Sequence, residues 1–420
     1  MSGAVDRAEA ESARALQEDG GTTGPAEGAV IRVWPVAGFF VAWMGAWWSI
    51  VGGLLAPVLP GGWATVLALA LLGAAPVPIL ARSFGGRSYP SARTRLWLFR
   101  PFWYALLLLP LLAAAGLVGV LLGLPFSAAA TGGRVAMALA AAALAVLVLT
   151  GYVGSRRLVV RHLDVLVDGL PAGLEGLRIA QVSDLHVGPH TSRRFLERVV
   201  AAVREARADL IAITGDQVDD YAPDAAHFTA AFAGVSAPLG VFAIPGNHDV
   251  YAGWDAVRRS MEAAAIRVLV NDAVALERGG TRFWLAGTGD PAARHWSRGG
   301  ARAAVPDIER TLAGVPADEL TLVLAHNPAL WPALARRGVT LTLSGHTHHG
   351  QLSIPRLGWS LASPFLELAM GVHRAGDSLL YIHPGTGFWG IPFRIGPLPE
   401  VAVLTLRPGE VSDIVATRAA

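Results

Sequence analysis

The 420-residue chain has no cysteine and no lysine, and only 16% of its residues are charged. Without cysteine there is no disulfide, no thiolate metal site and no cysteine nucleophile. Without lysine every one of the 34 basic residues is an arginine, against 32 acidic ones, so the net charge is only +2. The isoelectric point near 9.3 therefore reflects the high pKa of arginine and gives no sign of a nucleic-acid partner. The shortage of charge is also uneven. Between residues 33 and 81 there is no charged side chain, and between 101 and 155 there is one, Arg134. A hydrophobic content of 53% and a mean hydropathy of +0.45 exclude a disordered chain.

These absences divide the chain into a mobile tail (1–30), a transmembrane helical region (31–155) and a globular domain (156–420). The tail is rich in Ala, Gly, Ser and Glu, with a short helix expected around 7–18. The apolar stretch begins too late and runs too long for a cleaved signal peptide. Four segments, 34–55, 63–81, 102–122 and 135–153, are long and apolar enough to span a bilayer as helices. Trp34, Trp63, Trp97 and Trp103 fall near their ends, where amphipathic rings favour the headgroup layer. Pro57, Pro76, Pro78 and Pro110 are expected to bend or end helices. Arginines cluster in the tail, in the connection holding Arg82, Arg87, Arg93, Arg95 and Arg100, and after the fourth span at Arg156, Arg157 and Arg161. The positive-inside rule then places both termini and the globular domain in the cytoplasm, with the spans in the cell (inner) membrane.

From about residue 158 short β-type runs alternate with amphipathic helices, the pattern of a layered α/β domain. Strands are expected at 177–182, 210–214, 241–244, 320–324 and 341–343, with a helix over 192–207. Each strand runs into a polar cluster: Asp184-Leu185-His186, Gly215-Asp216, Gly246-Asn247-His248-Asp249, His326-Asn327 and Gly345-His346-Thr347-His348. Carboxylate, imidazole and amide oxygen together suit Mn, Fe or Zn, whereas calcium sites use oxygen alone. Asp184, Asp216 or Asn247 in isolation reads as a turn or helix-capping residue. Ligands of open α/β sheets gather beyond the carboxyl ends of the strands, which is where all the clusters fall.

The ordered series D-x-H, G-D, G-N-H-D, H and G-H-x-H resembles the signature of calcineurin-like metallophosphoesterases over about residues 175–390. The continuation His349-Gly350-Gln351 and the proline-rich C-terminal region resemble the bacterial membrane-associated subgroup. The resemblance implies a four-layer α/β sandwich of two sheets flanked by helices. It implies two divalent or trivalent metal ions: Asp184, His186 and His348 on one, Asn247, His326 and His346 on the other, Asp216 bridging. A hydroxide between the metals would attack phosphorus, with His248 as the acid and Asp249 orienting its ring. The function so implied is a membrane-anchored phosphoesterase cleaving phosphomonoester, phosphodiester or pyrophosphate bonds, with manganese among the candidate metals. Its partners would be a phosphate-ester substrate, lipid-linked or not, and the membrane; no nucleic-acid partner is expected. The competing reading is a membrane scaffold or sensor whose domain binds metal without turnover. A transporter is disfavoured because the spans carry no acidic residue. Outside the ligand set, His190 could line a phosphate pocket, and His349 reads either as substrate-facing or as a solvated loop residue. Asp219 and Asp220 read as loop-orienting. Gly289 stands where relatives often carry an acidic residue, which leaves the role of the Asp290 loop open. The loops 288–302 and 354–376 are expected to select the substrate.

Overall fold

The computed structural model describes residues 33–83, 89–296, 299–410 and 412–419. The helix expected around 7–18 lies outside them, as do Arg7, Arg14, Arg32 and Arg87. The chain forms two compact units, one within residues 23–151 and one over Tyr152–Ala420.

In the first unit the apolar runs form helices α1 (Val33–Leu55), α2 (Trp63–Ala74), α3 (Val77–Ser83), α4 (Arg100–Gly123) and most of α5 (Ala129–Gly154), whose last three residues belong to the second unit. Four helical stretches, Ala37–Leu55, Trp63–Ser83, Ala92–Phe126 and Ala129–Gly154, are long and apolar enough to cross a membrane. The prolines act as their chemistry dictates. Pro76 falls between α2 and α3, and Pro110 sits inside α4, where it removes a backbone hydrogen bond. Glycine lets α4 and α5 touch through their backbones. A side chain on Gly119 would meet the Gly132 carbonyl oxygen at 2.3 Å. Such small-residue contacts are how apolar helices associate where burial of oil against oil gives no gain.

The second unit contains strands β1 (Val159–Val167), β2 (Arg178–Val182), β3 (Leu210–Ile213), β4 (Val241–Ala243), β5 (Arg267–Val268), β6 (Asp272–Arg278), β7 (Thr281–Gly287), β8 (Thr321–Leu324), β9 (Leu341–Ser344), β10 (Ser353–Ile354), β11 (Trp359–Ser360), β12 (Gly371–Ala375), β13 (Ser378–Ile382), β14 (Glu400–Pro408) and β15 (Asp413–Ala419). One sheet has the order β15-β1-β14-β2-β3-β4-β5 and the other β12-β13-β9-β8-β7-β6, while β10 and β11 form a separate hairpin. The strands β2 to β5 run parallel, as do β7, β8, β9 and β13.

Strand periodicity sorts the side chains into layers. Ile179, Leu210, Ala212 and Phe242 of the first sheet pack against Phe283, Leu285, Leu322, Leu324, Leu341 and Leu379 of the second. The alternate residues Ala180, Val182, Ile211, Ile213 and Ala243 face α6 (Arg193–Glu205), α7 (Ala225–Phe232) and α8 (Asn247–Ala263). On the outer face of the second sheet Ala286, Val323 and Ala325 pack with Leu334 of the short helix α9 (Trp331–Ala335). The layers are thus helix, sheet, sheet, helix. Buried on both faces, the central strands read as continuous apolar runs rather than alternating ones. Helix α6 starts where the hydroxyl of Ser192 accepts the Phe195 amide at 3.2 Å.

Truncating Leu324, fully buried between the sheets, to alanine is expected to cost roughly 2–5 kcal/mol. Val415→Ala, on the exposed edge of β15, is expected to stay within about 0.5 kcal/mol. Guanidinium melts followed by far-ultraviolet circular dichroism measure both.

Candidate metal centre

The carboxyl ends of β2, β3 and β4 in one sheet and of β8 and β9 in the other carry all the expected clusters. The turn after β2 is laced to the turn after β3 by backbone bonds: Asp184 to Gly215 (2.9 Å), His186 to Asp216 (3.0 Å) and Val187 to Gln217 (2.9 Å). In these turns Asp184, His186, Asp216, His346 and His348 all have left-handed backbone, with φ of 54°, 44°, 55°, 72° and 50°. Side chains rarely adopt that region, and residues held there concentrate at functional sites. Reversal of the backbone just past each strand turns the side chains inward.

Three donor groups result, two formed by the expected ligands and a third by His186, Asp219 and His248. Asp184, His186 and His348 have ligand atoms within 4.8 Å of one another, as do Asp216, His326 and His346. Within the first group His186 Nε2 lies 2.9 Å from His348 Nε2, and His348 Nε2 lies 3.4 Å from Asp184 Oδ1. In the second, Asn247 Oδ1 is 2.7 Å from His346 Nδ1 and 3.2 Å from His326 Nε2. Asp216 joins the groups through one atom. Its Oδ2 lies 3.2 Å from His326 Nε2 and 3.6 Å from His186 Nε2, while its Oδ1 accepts the His248 amide at 2.8 Å. The donor set of carboxylate, imidazole and amide oxygen fits borderline divalent metals. The outer shell fits as well, since His326 Nδ1 is 2.7 Å from the Thr214 carbonyl and must donate to it, leaving Nε2 as a ligand.

Burial makes the cluster electrostatically demanding. Desolvation raises the pKa of Asp184. It works against the charge of Asp216 too, yet His326 and His248 hold that carboxyl well below its usual range. Burial, then the charge of His326, lowers His346 to about 4. Burial and the adjacent Arg394 guanidinium hold His348 well below its usual value. Both imidazoles are therefore neutral, as a ligand must be.

His248 sits at the edge of the cluster. Its Nδ1 lies 2.9 Å from both the Asp219 carbonyl oxygen and Asp220 Oδ1, two acceptors that place a proton there. Burial opposes its charge, but Asp216 and the hydrogen bond to Asp220 raise its pKa to about 10. The ring contact expected from Asp249 is not made. That carboxylate, pushed up to about 8 by burial and then by Asp216, accepts instead the amides of Asp216 (2.8 Å), Gln217 (2.9 Å), Val218 (3.2 Å) and Gly246 (2.9 Å). It fixes the loop that carries Asp216, because its position in the first turn of α8 points it at that loop's amides. Asp220 takes the ring-orienting place.

His349 is not a solvated loop residue. It is buried, its Nε2 lies 2.9 Å from the Ile382 carbonyl, and burial lowers it to about 4. His190 lies against the Phe388 ring at 6.4 Å. Asp290 is buried beside the cluster: its Oδ1 caps the following turn at the Ala292 amide (2.8 Å), and its Oδ2 has no hydrogen-bond partner among the described residues. Burial raises it to about 6. Arg394 was not singled out from the sequence. Fully buried, it donates to His348 Nδ1 and to the His348 carbonyl, both at 2.9 Å, and to the Pro384 carbonyl at 2.5 Å. The one available signal was an arginine isolated in the apolar run 384–399.

Two glycines set the packing limit. A Cβ on Gly246 would meet Asp216 Oδ1 at 2.1 Å, and one on Gly345 would meet Ser183 Oγ at 2.0 Å and Asp184 Oδ2 at 2.2 Å. Gly345→Ala is therefore expected to displace Asp184 and lower bound metal per chain, measured by elemental analysis, with the circular dichroism spectrum unchanged.

Comparison with known proteins covers the segment that carries these clusters. The sequence profile of calcineurin-like phosphoesterases matches residues 177–350. A transmembrane protein with metallophosphoesterase domain from Danio rerio is 33% identical over 251 residues, covering 58% of this chain and 56% of that protein. An uncharacterized metallophosphoesterase of Helicobacter pylori is 30% identical, covering 61% and 66%. The uncharacterized metallophosphoesterase YkuE of Bacillus subtilis is 30% identical over 245 residues, covering 57% of this chain and 82% of YkuE. The matched segment thus spans little more than half the length of the animal relative. With its profile match, its relatives and the ordered clusters at the strand ends, the chain belongs to the calcineurin-like metallophosphoesterase family.

Proposed function

We propose that the chain is a membrane-anchored, binuclear metal-dependent phosphoesterase, with residues 31–155 as anchor and 156–420 as catalytic domain. The observation that carries this reading is the single oxygen Asp216 Oδ2, set between the two donor groups. Asp184, His186 and His348 would hold one cation, Asn247, His326 and His346 the other, with Asp216 shared. Bound there, Mn, Fe or Zn ions would supply Lewis acidity toward the phosphoryl oxygens and a water of lowered pKa.

The chain's own residues do the rest. Asp220 and the Asp219 carbonyl hold Nδ1 of His248, which leaves Nε2 as the ring nitrogen for a leaving-group oxygen. The Asp220 carboxylate at Nδ1 favours the protonated ring, the form that can donate a proton from Nε2. Asp249 keeps the Asp216 loop fixed, so the bridging carboxylate is positioned before substrate arrives. The substrate class is a phosphate ester, and four membrane-spanning segments favour a lipid-linked one. Arginine placement supports a cytoplasmic domain on the inner membrane.

Asp216→Ala is expected to lose metal and reduce hydrolysis of bis-p-nitrophenyl phosphate to background. His248→Ala is expected to keep its metal while kcat falls by roughly 10²–10⁴-fold. Elemental analysis beside steady-state kinetics separates the two effects. Burial opposes the charge of His326, but Asp216 holds its pKa well above the usual imidazole value. Because that ring must shed a proton to bind, metal uptake is expected to release protons and to weaken as pH falls, which calorimetry in buffers of different ionisation heat detects. A C-terminal alkaline phosphatase fusion is expected to be inactive and a fluorescent-protein fusion bright.

A further inference from the structure

The globular unit carries an exposed apolar excursion that neither fold nor cluster accounts for. Over residues 353–366 the chain leaves the second sheet as the β10–β11 hairpin and a following turn. Ile354, Leu357, Trp359, Leu361, Phe365 and Leu366 are all exposed there, Leu357 at 73% and Phe365 at 82%. Arg356 is the one charged residue in the stretch. Soluble surfaces rarely concentrate large apolar side chains in this way.

Its base joins two other features. On one side the hairpin rests on the ligand turn, where a Cβ on Gly350 would meet the Ala362 nitrogen at 2.5 Å. From that turn Gln351 grips Trp389 through both backbone groups, at 2.9 and 3.0 Å. The half-exposed Trp389 ring stands 6.0 Å from that of His248. On the other side, Ser353 donates to the Ile395 carbonyl (2.9 Å) and Ile395 to the Gln351 carbonyl (3.0 Å). The preceding residue, Arg394, abuts the end of the last candidate span: a Cβ on Gly154 would meet its carbonyl oxygen at 2.1 Å. Gly154 is the final residue of that span, and β1 begins at Val159. The base of the hairpin therefore lies near Gly154, the last residue of the candidate span, on one side and beside the cluster's rim on the other.

We propose that residues 353–366 form a lip seated in the interfacial layer of the bilayer, beside the metal cluster. Aliphatic and aromatic side chains would enter the boundary of headgroups and acyl chains, with Arg356 reaching anionic phosphates. A lipid-borne phosphate ester could then reach the cluster along Trp389 without leaving the membrane. The seat rests on the tether and the exposed side chains; its use in substrate delivery rests on the phosphoesterase reading above.

The natural absence of cysteine permits a direct test with the full chain in nanodiscs of phosphatidylethanolamine and phosphatidylglycerol. Phe365→Cys and the control Val415→Cys are each labelled with a nitroxide, and relaxation by oxygen is compared with relaxation by a water-soluble nickel chelate. The lip label is expected to favour oxygen and the control the chelate. Equal chelate access at both sites, or dipolar broadening from a second copy at Phe365, overturns the seat. The double variant Leu357→Ser/Phe365→Ser is expected to lose at least tenfold in hydrolysis of phosphatidic acid in vesicles and less than twofold on bis-p-nitrophenyl phosphate. Equal losses on both substrates overturn delivery. If the unmodified protein hydrolyses neither probe, the phosphoesterase reading and delivery fall together, while the nitroxide depth still decides the seat.

Discussion

Four carboxyl groups, Asp184, Asp216, Asp249 and Asp290, and several imidazoles share a nearly solvent-free space at one end of the sandwich, and charge is costly to bury. Without compensation such groups would change protonation or drive water in. The surroundings meet this demand with fixed polar contacts. Asp184 accepts Ser183 Oγ and the His346 amide, Asp249 collects four backbone amides, and His326 is tied to a carbonyl. Each contact also restricts an orientation, so the groups that make burial tolerable are those that aim the ligands.

The sandwich supplies what such a cluster needs from the backbone. Parallel strands from two sheets end on the same side, and their connections must reverse direction there. Left-handed residues in those turns are strained, and the packed strands beneath hold them in place. Strain is thus concentrated where the side chains must converge, while the interior between the sheets remains ordinary aliphatic packing.

Much of this could be read along the chain. Apolar runs marked strands and spans because burial on both faces, or in lipid, leaves no reason for polar alternation. The clusters after each run were visible because their residue types are costly anywhere except at a site. Partner choice was less visible. Asp249 follows His248 directly, yet its carboxylate serves the loop after β3, and Asp220, distant in sequence, holds the ring. Arg394 likewise reaches His348 across 46 positions. Neither pairing has a sequence period, since both depend on which loops lie side by side.

Composition and order alone determined that the chain has an apolar helical region and a larger α/β region with candidate metal-ligating residues at its strand ends. They could do so because hydrophobic periodicity and ligand type are local properties. Tertiary structure decided that one oxygen of Asp216 faces both donor groups, that His349 is interior, and that the hairpin over 353–366 exposes its apolar side chains. Those outcomes depend on backbone reversals and on contacts between segments remote in sequence, for which a linear pattern carries no signal.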